Sequence, residues 1–314
     1  MSLKIIGGSS HKQFTKDICE HLNIEETKTI SFLFSNENRF VKIDESVRGD
    51  DVFVIQTQLP PVDAHIIELF ILIRALKDAS AKRITVVLPY FPYVRSDKKE
   101  QQRVVIAARL MADLLESSGA NRVIIMEMHS PQIQGFFSIP TDHLIAAPDI
   151  IEYLRTKDLS NYTLVAADSG AIKMLEPYSD NLNLPVAMMD KRRLGNEEKV
   201  SIKGIIGDVR GKNALIIDDE TSSGGTLIEN AKYLIEKAGA ARVDACIIHA
   251  ALSPGTGELL NASPIKKFIT TDTIPSHQHN LRDVKVVSVT KRFADVIHRI
   301  HEDKSVKSIN DISS

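Results

Sequence analysis

Two cysteines are all that the 314 residues contain, and Cys19 and Cys246 lie far apart in the chain. Neither belongs to a C-x-x-C pair, which argues against a zinc or disulfide framework and fits a reducing compartment. Charge of one sign is equally scarce. The 39 Lys and Arg residues against 41 Asp and Glu leave a formal net charge of −2. No global basic field is present, so neither nucleic acid nor a membrane surface is expected as a partner, and phosphates must be handled by local basic clusters. Long apolar runs are missing too. The most apolar span, IIELFILIRAL, is broken by Glu68 and Arg74 and is too short to cross a bilayer. The opening MSLKIIGGSSHK carries no extended apolar core of the kind found in signal peptides. These absences leave a cytoplasmic, enzyme-like protein as the expectation.

What is present is strand–helix alternation. DVFVIQT (51–57), RITVVLPY (83–90), RVIIMEMH (122–129), YTLVAAD (162–168), ALIIDD (214–219) and RVDACIIHA (242–250) read as buried strands. Amphipathic stretches of helix length, such as AHIIELFILIRALKDA and VVIAARLMADLLESS, lie between them. Near-continuous apolar strands alternating with helices predict mainly parallel sheets flanked by helices. DASAKRITVV, ESSGANRVII and EKAGAARVDA repeat one helix–turn–strand device. The length suits two domains. We expect two similar α/β domains, residues 1–146 and 147–314, with the boundary in LIAAPDI. The polar tail HEDKSVKSINDISS is expected to be loose at its end.

Ligands of open α/β sheets bind beyond the carboxyl ends of strands. That rule selects PYFPYVRSDKK, MHSPQ, AADSGA and DDETSSGGT, where polar or glycine residues follow apolar strands abruptly. In the last, Asp218 and Asp219 precede Ser222, Ser223, Gly224, Gly225 and Thr226, and a good amphipathic helix follows. Backbone N–H groups at a helix start, helped by hydroxyls, form an anion cradle. The paired carboxylates suit ribose hydroxyls or a magnesium ion. The plainer alternative is a strand and an N-capped helix, with Asp219 and Glu220 in solvent.

The apolar–Asp–Asp run ending in Ser–Gly–Gly–Thr resembles the loop that binds phosphoribosyl diphosphate (PRPP) in type I phosphoribosyltransferases and PRPP synthetases. The loop alone does not separate the two. KIIGGSSHKQF, FSNENRFVKIDESVRGDDVFVIQT, YFPYVRSDKKEQQRVVIAARL, MHSPQIQGFFSIPTDHL and DKRR are similar, in the same order, to segments of ribose-phosphate pyrophosphokinase, the PRPP synthetase family. HSPQIQGFF is the most specific of them. The resemblance runs from about Lys4 to Val306 and implies two tandem type I phosphoribosyltransferase-like domains, assembled as dimer-based rings, usually hexamers. It implies transfer of the β,γ-diphosphoryl group of ATP to the C1 hydroxyl of ribose 5-phosphate, with Mg2+ and release of AMP.

Site residues follow from the resemblance position by position. Arg95, Asp97 and Lys98 match the segment contacting ATP, whereas Lys99 and Glu100 read as a solvated charged loop. Phe34, Asn36 and Asn38 match the loop that recognises adenine, supplied in the family by a neighbouring subunit. His129 matches a histidine near the ATP phosphates and metal. Lys191 and Arg193 match the catalytic loop, where their cations would stabilise the transferring group. Asp168 matches the strand-end acid that holds ribose and a metal. Asp218, Asp219, Ser222, Ser223, Gly224, Gly225 and Thr226 match the ribose-phosphate site.

The departures from the family pattern cluster. Ala171 stands where a second glycine is usual and Met174 where an arginine is. Ser96 replaces glutamine and Val105 proline. Asn36 and Asn38 replace acids common in bacterial members. Glu220, Thr221 and Ser222 depart from the usual loop, and SVKSIND replaces the tail that lines the family's allosteric phosphate/ADP site. Three functions are compatible, in this order: PRPP synthesis from ribose 5-phosphate, the same chemistry on ADP-ribose toward rebuilding NAD, and a non-catalytic partner subunit. Retention of His129, Lys191, Arg193, Asp218 and Asp219 argues against the third.

Overall fold

The computed structural model describes residues 1–193, 200–275 and 280–312. The chain divides into two compact units. One comprises Met1–Ile145 with Val289–Asp311, the other Ala146–Ser288 with Ile312.

In the first unit, β1 (Leu3–Gly7), β4 (Asp51–Ile55), β5 (Arg83–Leu88), β6 (Arg122–Met126) and β7 (Thr141–Leu144) form one parallel sheet in that spatial order. Every residue of β4 is buried, as a central strand covered on both faces requires. Helices α1 (Lys12–Leu22), α2 (Val62–Asp78) and α3 (Ala107–Ser118) provide the cover. Leu69, Ile73 and Leu76 of α2 and Met111 and Leu115 of α3 share one core with Val52, Val54, Val86 and Ile125. A separate antiparallel hairpin, β2 (Thr29–Leu33) with β3 (Arg39–Ile43), carries FSNEN at its tip.

In the second unit, β8 (Tyr162–Ala166), β9 (Val186–Arg193), β10 (Val200–Ile206), β11 (Asn213–Thr221), β12 (Arg242–Ala250), β13 (Ile265–Thr271) and β14 (Val284–Val287) form a seven-stranded sheet. Its order is β10-β9-β8-β11-β12-β13-β14, parallel except for the β9–β10 pair. Helices α4 (Ala147–Arg155), α5 (Glu176–Leu182), α6 (Gly225–Glu236) and α7 (Thr256–Asn261) belong to this unit. Leu227, Ala231 and Leu234 of α6 pack on Val165, Ile216 and Ile247 of the sheet.

The expected second domain, 147–314, needs one correction. Helix α8 (Thr290–His301) returns to the first unit. Its buried stripe Phe293, Ala294, Val296, Ile297 and Ile300 requires an apolar partner, and α1 supplies one. Phe293 meets Phe14 edge to face at 5.4 Å. Buried Asp51 adds a polar tie, since its carboxylate accepts from Arg83 and pairs with His301 at 2.9 Å.

Candidate active site

Strand order reverses around β8, although β8 runs parallel to both its neighbours. The strand that follows it, β9, lies on one side, and β11 lies on the other. Such a switch point opens a crevice at the carboxyl ends of the strands. Asp168 stands just past β8, and its Oδ1 accepts from the N–H groups of Gly170 at 2.8 Å and Ala171 at 3.1 Å. Asp218 and Asp219 stand near the end of β11. The Asp219 N–H donates to Asp218 Oδ1 at 3.1 Å, and the Glu220 N–H to Asp219 Oδ1 at 2.9 Å. Burial pushes the Asp218 carboxyl up to about 8, and repulsion from Asp219 and Asp168 adds to the shift.

Lys191 reaches the same group from β9. Burial lowers the pKa of its half-buried ammonium, while the charges of Asp168, Asp218 and Glu229 oppose that shift. The second unit therefore brings Lys191, Asp168, Asp218 and Asp219 together. It adds Glu229 of α6, which the sequence pattern did not single out. Arg193 ends β9, and its side chain lies outside the described residues.

The loop from β11 to α6 is shaped by close approach. Gly224 caps α6 with φ +70°, and a Cβ there would lie 3.0 Å from Thr256 Cγ2. Glycine is the residue that meets both demands without strain. Ser222 Oγ lies 3.1 Å from Ser253 Oγ, which ties the loop to the segment before α7. Ser223, Gly225 and Thr226 are exposed, and no side chain caps the helix. The first-turn N–H groups of α6 thus lack intrahelical acceptors and carry the positive end of its dipole. Buried Asn230, one turn on, donates to Ala167 O at 3.3 Å and so holds α6 against the end of β8. Asn230 was also invisible in the motif. The plainer alternative placed Glu220 in solvent, but Glu220 is only 5% exposed.

In the first unit, the loop after β5 carries exposed Arg95 and Lys98 with half-buried Asp97 between them. Ser96 anchors it: its Oγ donates to Val105 O and accepts from the Ala107 N–H, both at 3.3 Å. Two of the departures from the family pattern therefore touch each other. Helix α3 has no side-chain cap from its own N-cap residue, Ile106, and Ser96 satisfies one of its first N–H groups instead. His129 is exposed three residues beyond β6.

The hairpin tip is built by Asn36, whose Oδ1 accepts from the Asn38 N–H at 3.2 Å, and by the Phe34 N–H, which donates to Asn38 O at 2.8 Å. Phe34 is 50% exposed and meets Phe32 and Phe40 edge to face. The hairpin is fixed to α2 through Glu68, which is 1% exposed. Its carboxylate accepts from Ser31 Oγ at 2.9 Å, Arg39 Nη1 at 3.0 Å, Gln56 Nε2 at 3.0 Å and Ser9 Oγ. Burial raises this carboxyl, yet the hydrogen bonds from Ser9 and Ser31 and the charge of Arg39 hold it below its ordinary value.

Among the described residues, no group of three or more His, Cys, Asp or Glu side chains is arranged as a metal cage. Mg2+ needs none. It commonly binds through one or two carboxylates and completes its octahedron with water and substrate phosphates. The hard oxygens of Asp168 and its neighbours fit that donor set. Cys19 and Cys246 are buried and free. No helix among the described residues is long and apolar enough to cross a membrane.

Comparison with known proteins agrees with this geometry. Residues 3–119 match the family described as the N-terminal domain of ribose phosphate pyrophosphokinase, and residues 193–310 the phosphoribosyl synthetase-associated domain. The chain is 42% identical to a ribose-phosphate pyrophosphokinase of Caldanaerobacter subterraneus over 310 residues, covering 98% of both chains. It is 40% identical to one from Oceanobacillus iheyensis, covering 99% of this chain and 98% of the relative. The crystal structure of phosphoribosylpyrophosphate synthetase from Mycobacterium smegmatis superposes with a TM-score of 0.91 at 34% identity, covering 96% of this chain and 100% of that one. With strand-end acids, glycine loop, full-length relatives and fold in agreement, the chain belongs to the ribose-phosphate pyrophosphokinase family.

Proposed function

We propose that this enzyme transfers the β,γ-diphosphoryl group of ATP to the C1 hydroxyl of ribose 5-phosphate, giving PRPP and AMP, with Mg2+ as cofactor. The observation that carries the reading is the convergence of Lys191, Asp168, Asp218 and Asp219 beside the uncapped start of α6. A phosphate accepted by the first-turn N–H groups and the hydroxyls of Ser222, Ser223 and Thr226 brings its ribose to the acids. Asp218 and Asp219 then accept from ribose hydroxyls. Lys191, held among carboxylates, is aimed at charge on the transferring group, and preorganised charge of this kind needs little rearrangement during reaction. Arg193 shares that task.

Arg95, Asp97, Lys98 and His129 are assigned to ATP, and Phe34, Asn36 and Asn38 to the adenine of a neighbouring copy in a homo-oligomer built from dimers. Exposed Phe34 offers a stacking face, and the Asn amides offer donors and acceptors. Asp168 and His129 are the assigned metal-side residues. Bound Mg2+ supplies charge neutralisation to the phosphates. The same reading includes a cytoplasmic location.

The test is incubation with ATP, Mg2+ and either ribose 5-phosphate or ADP-ribose, followed by phosphorus NMR. AMP and a C1-diphosphorylated ribose 5-phosphate are expected. Turnover with ADP-ribose alone would replace the acceptor, and absence of AMP with both would leave a non-catalytic partner subunit.

A further inference from the structure

The path by which His129 is presented is unusual. Strand β6 ends at Met126, and Glu127 then adopts φ +44°, a left-handed conformation uncommon for a residue with a side chain. Two hydrogen bonds to the neighbouring edge strand hold the turn. The Glu127 N–H donates to Leu144 O at 2.8 Å, and the Met128 N–H donates to the His143 ring at Nε2, 3.0 Å away. The second acceptor is a side chain, so the Met128 N–H, immediately before His129, is held by an imidazole.

His143 lies in β7, which has four residues and, among the described residues, pairs only with β6 in the sheet. Its other edge is met by Asn310. The Asn310 Nδ2 donates to His143 O at 2.9 Å, and its Oδ1 accepts from the Ile145 N–H at 3.2 Å. One residue bonding the C=O of residue 143 and the N–H of residue 145 is the pattern of a parallel ladder. The side-chain amide thus substitutes for a missing strand. Asn310 closes a short 3-10 turn (Lys307–Asn310) that is itself pinned: Arg299 Nη1 donates to Ser305 O at 3.1 Å and Ser308 Oγ at 3.0 Å, and Arg292 Nη1 donates to Ile309 O. All these groups belong to the first unit.

We infer that His143 is a positioning residue for His129, and that Asn310 of the C-terminal segment latches it in place. The inference rests on the assignment of His129 to the ATP side of the reaction. Burial depresses the His143 ring to about 4, which keeps Nε2 an acceptor at neutral pH. On this inference the C-terminal segment is a strut behind the turn that presents His129.

The experiment compares His129→Ala, His143→Leu, His143→Gln and Asn310→Ala in the full-length protein. Loss of the latch should lower kcat about tenfold, as small misplacements of reacting groups do, with the KM for ribose 5-phosphate unchanged. His143→Gln restores an acceptor and should recover most of the activity lost in His143→Leu. In the His129→Ala background, Asn310→Ala should cost nothing further. Hydrogen exchange provides a second readout on folded protein: the peptide spanning 127–130 should exchange faster in Asn310→Ala than in wild type. If His129→Ala is itself fully active, the assignment of His129 falls. If His129→Ala is impaired while Asn310→Ala keeps wild-type kcat and wild-type exchange at 127–130, the latch is overturned.

Discussion

The two units solve the same problem differently. At the strand ends of the second, ionisable groups face one another: Asp218 is pushed up by burial and by its acidic neighbours, and the Lys191 ammonium is lowered by burial. In the first, two deeply buried acids are partnered: Asp51 by Arg83 and His301, and Glu68 by Arg39, Ser31 and Ser9, which hold it below its ordinary value. The assigned ATP residues Arg95, Lys98 and His129 stand exposed at loop positions. A polar network that is satisfied rigidifies a fold, whereas like charges kept close store a demand for a cation or a hydroxyl. Asp51 and Glu68 serve architecture in the first unit, as Asp244 does in the second, where Tyr162 and Arg242 hold it; the strand-end acids around Lys191 are the ones the proposed function assigns to chemistry.

The sharpest way to break that contrast is to remove charge from each side. Lys191→Ala should lower turnover by about 10²–10³, the usual loss for one preorganised electrostatic group. Its melting temperature should stay close to wild type, because burial already disfavours the ammonium. AMP release with scanning calorimetry measures both. Glu68→Ala should do the reverse. It strands Arg39, the Gln56 amide and the hydroxyls of Ser9 and Ser31, and should cost about 3 kcal/mol in urea unfolding, as breaking a buried pair does. kcat per folded molecule should hardly change. A Glu68→Ala protein that is stable but inactive would erase the distinction between the units.

Asp218 sharpens the comparison through pH. Its carboxyl is raised from the ordinary 3.8 to about 8, so between those values the native state binds more protons than the unfolded chain. Stability of the metal-free protein should therefore fall as pH rises from about 4 to about 8. Asp218→Asn should remove that slope and raise stability near pH 8 by about 1–2 kcal/mol, the shift being moderated by partial solvent screening. Urea midpoints in chelator across this range provide the measurement. A slope that survives the substitution would show that Asp218 is not its source.

Much of this is legible in the sequence. RVDACIIHA is β12 residue for residue, and the alternation of apolar strands with amphipathic helices carried the fold class. The edge strands β7 (TDHL) and β14 (VKVV) escaped notice, because four mixed residues give periodicity too little length. The return of α8 escaped for another reason. A helical stripe states that a partner is needed but not which one. At the site, DDETSSGGT announced itself by chemistry. Glu229 and Asn230 did not, since each looks like an ordinary helix residue until β8 and β9 are placed beside α6.

Ser96 carries the smallest effect and tests the exposed side of the comparison. Its hydroxyl bridges Val105 O and the Ala107 N–H, so it joins the loop of Arg95, Asp97 and Lys98 to the start of α3. Both bonds are long at 3.3 Å and partly exposed, and losing such a cap costs about 1 kcal/mol or less. Ser96→Ala should accordingly leave kcat intact and raise the KM for ATP a few-fold, with the KM for ribose 5-phosphate unmoved. Ser96→Thr, which keeps the hydroxyl, should restore it. Steady-state kinetics with each substrate varied in turn separates the two constants. If the ribose 5-phosphate constant moved instead, the loop would have to be reassigned to the acceptor. The division drawn between solvent-facing residues assigned to ATP and half-buried acids assigned to the acceptor would then fail at its weakest link.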